Sequence, residues 1–362
     1  MLGLTLLPFL CVGLFLVAFN NDDDDTVETP DPETPDEVVN GTEGDDILAA
    51  TGSETVNGGA GNDSLTTNAG SVGAVLNGEA DNDDLQAEGG NSTLNGGEGD
   101  DRLFATDTSD GAVLNGDDGR DDLRAGGTAP TLNGGEGDDS LYNDDAVDAV
   151  LNGDGGDDFF GLQTDQDLEG NGGTGNDVFE AFIEGGDVRL NGGEGDDDFI
   201  VGGEGGVIHG DAGDDVIYIE SAGAEAFGDD GNDDLAVRVV LDAGAADAAS
   251  TLAGGEGADS FTIELYDPAR PADPQDDDLG VVTHISDFDP QEDNLVLDLR
   301  GSGSQVNGIS TTPSEDGSYL DVTVDVAASA TAPAQSFTVR LTGVTALDAD
   351  QIVIHENARA VA

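Results

Sequence analysis

A nine-residue string recurs twelve times between residues 40 and 261, and it keeps its register. It reads NGTEGDDIL from Asn40, NGGAGNDSL from Asn57, NGEADNDDL from Asn77, NGGEGDDRL from Asn95 and NGDDGRDDL from Asn115. It continues as NGGEGDDSL from Asn133, NGDGGDDFF from Asn152, NGGTGNDVF from Asn171 and NGGEGDDDF from Asn191. The last three copies are HGDAGDDVI from His209, FGDDGNDDL from Phe227 and AGGEGADSF from Ala253. Copies follow one another at 17 to 20 residues, except for a final step of 26. A fixed period of this size is the mark of stacked supersecondary units, none of which buries its apolar face alone.

The columns of the repeat assign a task to each position. A first Gly is present in every copy: Gly41, Gly58, Gly78, Gly96, Gly116, Gly134, Gly153, Gly172, Gly192, Gly210, Gly228 and Gly254. Five residues later stands an Asp: Asp46, Asp63, Asp83, Asp101, Asp121, Asp139, Asp158, Asp177, Asp197, Asp215, Asp233 and Asp259. A second Gly follows the first by three residues, as Gly44, Gly61, Gly99, Gly119, Gly137, Gly156, Gly175, Gly195, Gly213, Gly231 and Gly257, and fails only at Asp81. Two residues past each Asp comes Leu, Phe or Ile, and the residue before the motif is usually Val, Leu or Ile, with Gly170 and Ala226 as exceptions. Each unit is thus an apolar strand end, a Gly-rich turn carrying a carboxylate, and a second apolar strand start. The apolar columns alternate as inward-facing strand residues do and form a thin core. The Asn that opens nine of the twelve copies reads as a side-chain ladder or turn cap.

Charge limits what such a stack can do. The 362 residues hold 80 acidic side chains against nine basic ones, all Arg, for a net charge of −71. A chain this acidic repels nucleic acid and anionic lipid. Cys11 is the only cysteine, so no disulfide within the chain can brace the fold. Carboxylates stacked at strand spacing repel one another, and a few apolar residues per coil bury too little to offset about 1–2 kcal/mol of backbone entropy per residue. A disordered acidic polymer has no reason to keep the register, so the remaining solution is a fold completed by bound cations. Salt adaptation would enrich acids anywhere in the chain and would not hold one Asp five residues behind a Gly twelve times.

The residue types name the cation. Gly turns aim backbone carbonyls in unusual directions, and Ca²⁺ takes six to eight hard oxygen ligands at about 2.3–2.6 Å. One turn cannot fill that shell, but two turns stacked roughly 4.7–4.9 Å apart can share an ion. These strings resemble the GGxGxDxUx nonapeptides of RTX (hemolysin-type) calcium-binding proteins, a repeat that forms a parallel β-helix. The resemblance covers about residues 40–263 and implies an all-β, parallel β-roll of about twelve coils, each with two short strands and two turns. Many RTX blocks repeat every nine residues and so carry calcium turns on both edges. Here the intervening half-coils, such as ATGSET (50–55), AEGGNST (87–93), RAGGTAPT (124–131) and YNDDAVDA (142–149), lack the GxGxD spacing. The expectation is one column of on the order of ten Ca²⁺ ions along a single edge.

The ends differ. Residues 2–19 are apolar and uncharged, without Lys or Arg before them or a small-x-small cleavage site, and Cys11 follows Leu10 rather than a small residue. An uncleaved anchor and an unusual signal peptide both stay open; membrane insertion is left to this segment alone. An acidic Pro/Thr-rich linker is expected over 20–39, and a C-terminal β cap over 264–362 from the alternation in 281–299, 319–326 and 336–354. Such a cap hides the last coil of a solenoid. Asp287-x-Asp289-x-Gln291 begins like an EF-hand loop, but Glu292 stands where its Gly belongs, so a turn is expected there. His209, His284 and His355 lie apart and form no HExxH, and no GxSxG occurs; an enzyme is not expected. Two functions fit: an exported calcium-binding protein, or a surface adhesive or spacer module of the same fold, its protein or matrix partner unknown. Ice binding fits poorly, because the residue between the two glycines is mostly Glu, Ala or Asp, with Thr174 alone of its kind.

Overall fold

The computed structural model describes residues 38–144, 146–220, 223–240, 249–266, 278–299, 305–327, 334–347 and 351–355. All belong to one compact unit, 32–362, and among them thirty strands and no α-helix occur. The apolar run 1–19, linker residues 20–37 and the tail 356–362 lie outside the described residues. No helix among the described residues is long and apolar enough to cross a membrane.

One motif copy joins two strands. β3 (Thr55–Ala60) enters the Gly/Asp turn, β4 (Ser64–Thr67) leaves it, and a second turn returns the chain to β5 (Val75–Ala80). β5 lies parallel beside β3, and β6 (Asp84–Ala87) parallel beside β4. Repetition builds two parallel sheets. Odd-numbered strands run from β1 (Val38–Asn40) to β25 (Asp278–Ile285), and even-numbered strands from β2 (Ile47–Ala50) to β26 (Asn294–Asp298). Val38 and Val39 therefore belong to the first strand and not to the linker, and the roll begins two residues ahead of the first motif. The register aligns like with like: Asn57 faces Asn77, and Leu65 faces Leu85, which faces Leu103.

Alternation along these strands makes the core. In β3, Val56 and Gly58 point inward while Thr55 and Asn57 face out. Two stacked columns, Val56 to Leu252 on one sheet and Leu65 to Phe261 on the other, are buried. Phe160, Phe179 and Phe199 stack with ring centroids 4.2 and 4.6 Å apart. The large rings answer a gap: Gly170 has no side chain, and atoms of Phe179 and Leu190 stand 3.3 and 3.1 Å from where its Cβ would be. The Asn column forms the expected ladder. Each Asn Nδ2 donates to the Oδ1 of the preceding coil's Asn at 2.7–2.9 Å, from Asn57→Asn40 to Asn191→Asn171.

The C-terminal stretch extends the roll before it caps it. β25 and β26 add a further parallel coil, and residues 286–293 between them form the expected turn. Among the described residues antiparallel pairing is confined to β27 (Val306–Pro313), β28 (Tyr319–Val326) and β29 (Gln335–Thr342), with β29 lying parallel against β25. β30 (Ile352–His355) closes the even-strand sheet beside β26.

Candidate metal centre

The Gly/Asp edge is built from backbone requirements. The first Gly of each copy ends the inward-facing positions of an odd strand. In the coil of Asp139, a Cβ on Gly134 would overlap Oδ2 of that Asp and stand 2.7 Å from the carbonyl oxygen of Gly153 in the next coil. The second Gly then turns the chain with a positive φ, +127° at Gly137, where a Cβ would also overlap the Gly119 carbonyl of the preceding coil. Carbonyl oxygens of neighbouring turns and one carboxylate oxygen thus converge on spaces that only Gly leaves open. Asp81, the one residue that breaks the second Gly column, takes the same left-handed conformation at φ +72°.

The twelve fixed Asp residues are brought together as a single file. From Asp63 to Asp259 each is only 1–3% exposed. The main-chain N–H of each donates to Oδ1 of the Asp one coil further on, at 2.7–3.0 Å without interruption. The 26-residue step leaves no break, since Asp233 reaches Asp259 at 3.0 Å. Oδ1 is therefore satisfied. Oδ2 is not: in Asp63, Asp83, Asp101, Asp121, Asp139, Asp158, Asp177, Asp197, Asp215 and Asp233 it is buried with no hydrogen-bond partner.

A buried carboxylate oxygen without a donor is costly unless a cation or a proton meets it. Burial pushes these acids up, against the lowering effect of the N–H bond from the preceding coil. Asp158 reaches about 8. Asp83, Asp121, Asp197 and Asp233 reach about 7, and Asp101, Asp139, Asp177 and Asp215 about 6. The donor set is all oxygen, with no N–H aimed at Oδ2, so it suits a hard cation.

The ends of the column are finished differently. Oδ2 of Asp46, in the first coil, accepts the Thr42 N–H at 2.6 Å and its hydroxyl at 2.9 Å. At the far end, Asp259 donates to Oδ1 of Asp293 at 3.0 Å, and Oδ2 of Asp293 accepts the Asp289 N–H at 2.7 Å. Asp287 accepts the N–H groups of Gly254 and Gly255 at 3.1 and 3.0 Å, where a further Gly turn would otherwise follow. Asp293 and Asp287 escape a search for GxGxD; the signal for Asp293 is Leu295 two residues on, the surviving half of the motif. An outer ladder also escaped notice. The residue before each fixed Asp is Asn or Asp except at Arg120 and Ala258. Its Oδ1 accepts the N–H of the same position one coil later, as in Asp45–Asn62, Asn62–Asn82 and Asp157–Asn176.

The opposite edge has no such file among the described residues. Its turns differ in length and are held by short polar side chains: Ser71 donates to the Ala50 carbonyl and Ser109 to the Ala87 carbonyl, both at 2.9 Å. Glu54 accepts the Thr51 N–H at 3.1 Å and its hydroxyl at 3.0 Å.

Against known proteins, no family model matches the chain, and no curated protein matches it. Among solved structures it is similar to the AlgE6R3 subunit of the Azotobacter vinelandii mannuronan C5-epimerase, at 24% identity and a TM-score of 0.28 over 44% of this chain and 83% of that one. It is also similar to the AlgE6R2 subunit of the same epimerase, at 23% identity and a TM-score of 0.26 over 48% of this chain and 96% of that one.

Proposed function

We propose that this chain is an exported calcium-binding protein whose roll is completed by a single file of Ca²⁺ ions along the Gly/Asp edge. The observation that carries the reading is the run of ten buried Oδ2 atoms without a donor, each beside a turn carbonyl. The fixed Asp carboxylates would hold the ions, together with backbone carbonyls at the two Gly columns, in line with the resemblance of the motif to RTX repeats. Bound Ca²⁺ supplies positive charge that cancels carboxylate repulsion and ties each coil to the next. Binding and folding are then one process, and the protein is folded where calcium is plentiful, outside the cell. The role is structural rather than catalytic. An apolar run followed by an acidic linker ahead of the roll favours a second reading, a surface-tethered spacer; fractionation of cells making the full chain or a 1–39 deletion separates it from a released protein.

Calorimetric titration of the full chain with Ca²⁺, followed in parallel by far-UV circular dichroism, tests the proposal. On the order of ten ions should bind, and strand signal should rise with them. A strand signal that a strong chelator leaves unchanged would overturn it.

A further inference from the structure

Three departures from the repeat meet at one place on the outer face of the odd-strand sheet. His209 stands where nine of the copies have Asn. Asp211 and Asp229 occupy the position directly after the first Gly, which is Gly in six copies, and they are the only acidic residues at that position in two consecutive coils. β19 (Val207–Ala212) and β21 (Glu225–Asp230) pair so that Asp211 lies directly opposite Asp229, and His209 opposite Phe227. A nitrogen of His209 and one oxygen of each Asp lie within 4.8 Å of one another. His209 Nδ1 is 2.8 Å from Asp229 Oδ2. Phe227, a fourth departure, stacks on the imidazole at 4.6 Å and 8°, which fixes the plane of the ring.

We infer that His209, Asp211 and Asp229 form a binding site for a borderline divalent metal of the zinc class, separate from the calcium column. The chemistry separates the two. Ca²⁺ seeks oxygen alone, whereas an imidazole nitrogen with two carboxylates suits Zn²⁺ or Co²⁺, which hold such ligands at about 2.0–2.2 Å and accept three protein donors plus water. The three donor atoms already lie within 4.8 Å of one another, so a metal held at about 2.0–2.2 Å needs only side-chain adjustment, with no change in strand pairing. The site needs only the pairing of two adjacent coils and draws on none of the carboxylates of the column, so it goes beyond the calcium reading.

The repeat supplies clean variants. His209→Asn installs the residue of nine other copies, and Asp211→Gly and Asp229→Gly install that of six, so each removes a donor while following the pattern of its neighbours. With the full chain saturated in Ca²⁺, titration with Zn²⁺ should show one saturable phase above the weak background of surface carboxylates. Proton NMR should show the His209 ring signals shifting while those of His284 and His355 stay. Each variant should keep the circular dichroism of the parent and weaken the phase by roughly tenfold or more, about 1.4 kcal/mol per tenfold. Absence of a saturable phase, a phase that persists unchanged in H209N, or a shift of all three His rings together would overturn the proposal.

Discussion

The two edges of the roll join the same strands and solve the same problem in opposite ways. On the irregular edge each turn is closed locally, with Ser71, Ser92 and Ser109 satisfying carbonyls of their own or the adjacent coil, so turn length varies freely. On the Gly/Asp edge the turns are tied to neighbouring coils, but one carboxylate oxygen of most coils is not paired within the protein. A carboxylate is drawn inside, one oxygen is paired with the neighbouring coil, and the other is left facing a space that no side chain fills. The first edge is finished by the polypeptide, and on the proposed reading the second is finished by ions. The regularity of the second edge would then follow, because a shared ion tolerates less variation than a serine hydroxyl does.

Substitutions can set one edge against the other. Asp139→Asn keeps the Oδ1 acceptor and its bond from Asp121 but removes the charge. It should lose the ions on either side, about 5 kcal/mol at calcium a hundredfold above Kd, read from denaturant melts of D139N and the parent at saturating Ca²⁺. In the calcium-stripped chain, unfolded on the proposed reading, the same change should leave the circular dichroism unaltered. Gly119→Ala drives a methyl group into the Gly99 carbonyl at a φ of +144° and should cost about 3 kcal/mol in the calcium-loaded roll.

Acidity offers a third contrast. Burial raises nine carboxyls of the column, Asp83 to Asp233, to about 6 to 8 in the folded state, above the value near 3.9 of an unfolded chain. The folded, calcium-free state therefore binds more protons, so its stability grows as pH falls from about 8 toward 4 and is lost as pH rises back through that range. The strand signal of the calcium-stripped chain, absent at pH 8, should rise as pH falls to 5, whereas at saturating Ca²⁺ thermal melts should be higher at pH 8 than at pH 5 because protons compete with the ion. The smallest effect belongs to the irregular edge. Ser92→Ala removes one bond to the Gly89 carbonyl and should cost about 1 kcal/mol, with no change in calcium stoichiometry by calorimetry.

Much of this was legible from residue order because parallel stacking turns equal spacing into straight columns. Asp63, Asp83 and Asp101 had to align once their coils did, and Leu65, Leu85 and Leu103 with them. The Asn ladder was readable for the same reason. Spacing cannot show direction, however. Nothing in the string says that Oδ1 faces the preceding coil while Oδ2 turns toward the Gly, which is the geometry on which the calcium proposal rests. Asp293 was hidden because the turn ahead of it contains Phe288 and Gln291 in place of glycines, so only pairing of β26 with β24 (Ser260–Tyr266) reveals its register. The outer Asn/Asp ladder is a polar column in the sequence, and only the pairing of adjacent coils shows its side chains accepting main-chain N–H groups. His209 and Asp229, twenty residues apart, meet only through the pairing of β19 with β21.

The most direct test is anomalous X-ray scattering from crystals of the full chain grown in calcium. The account predicts a single line of Ca²⁺ peaks between successive coils, each within bonding distance of the fixed Asp carboxylates, and none along the serine-lined edge. Empty Gly/Asp turns in a folded roll, or peaks along both edges, would contradict it.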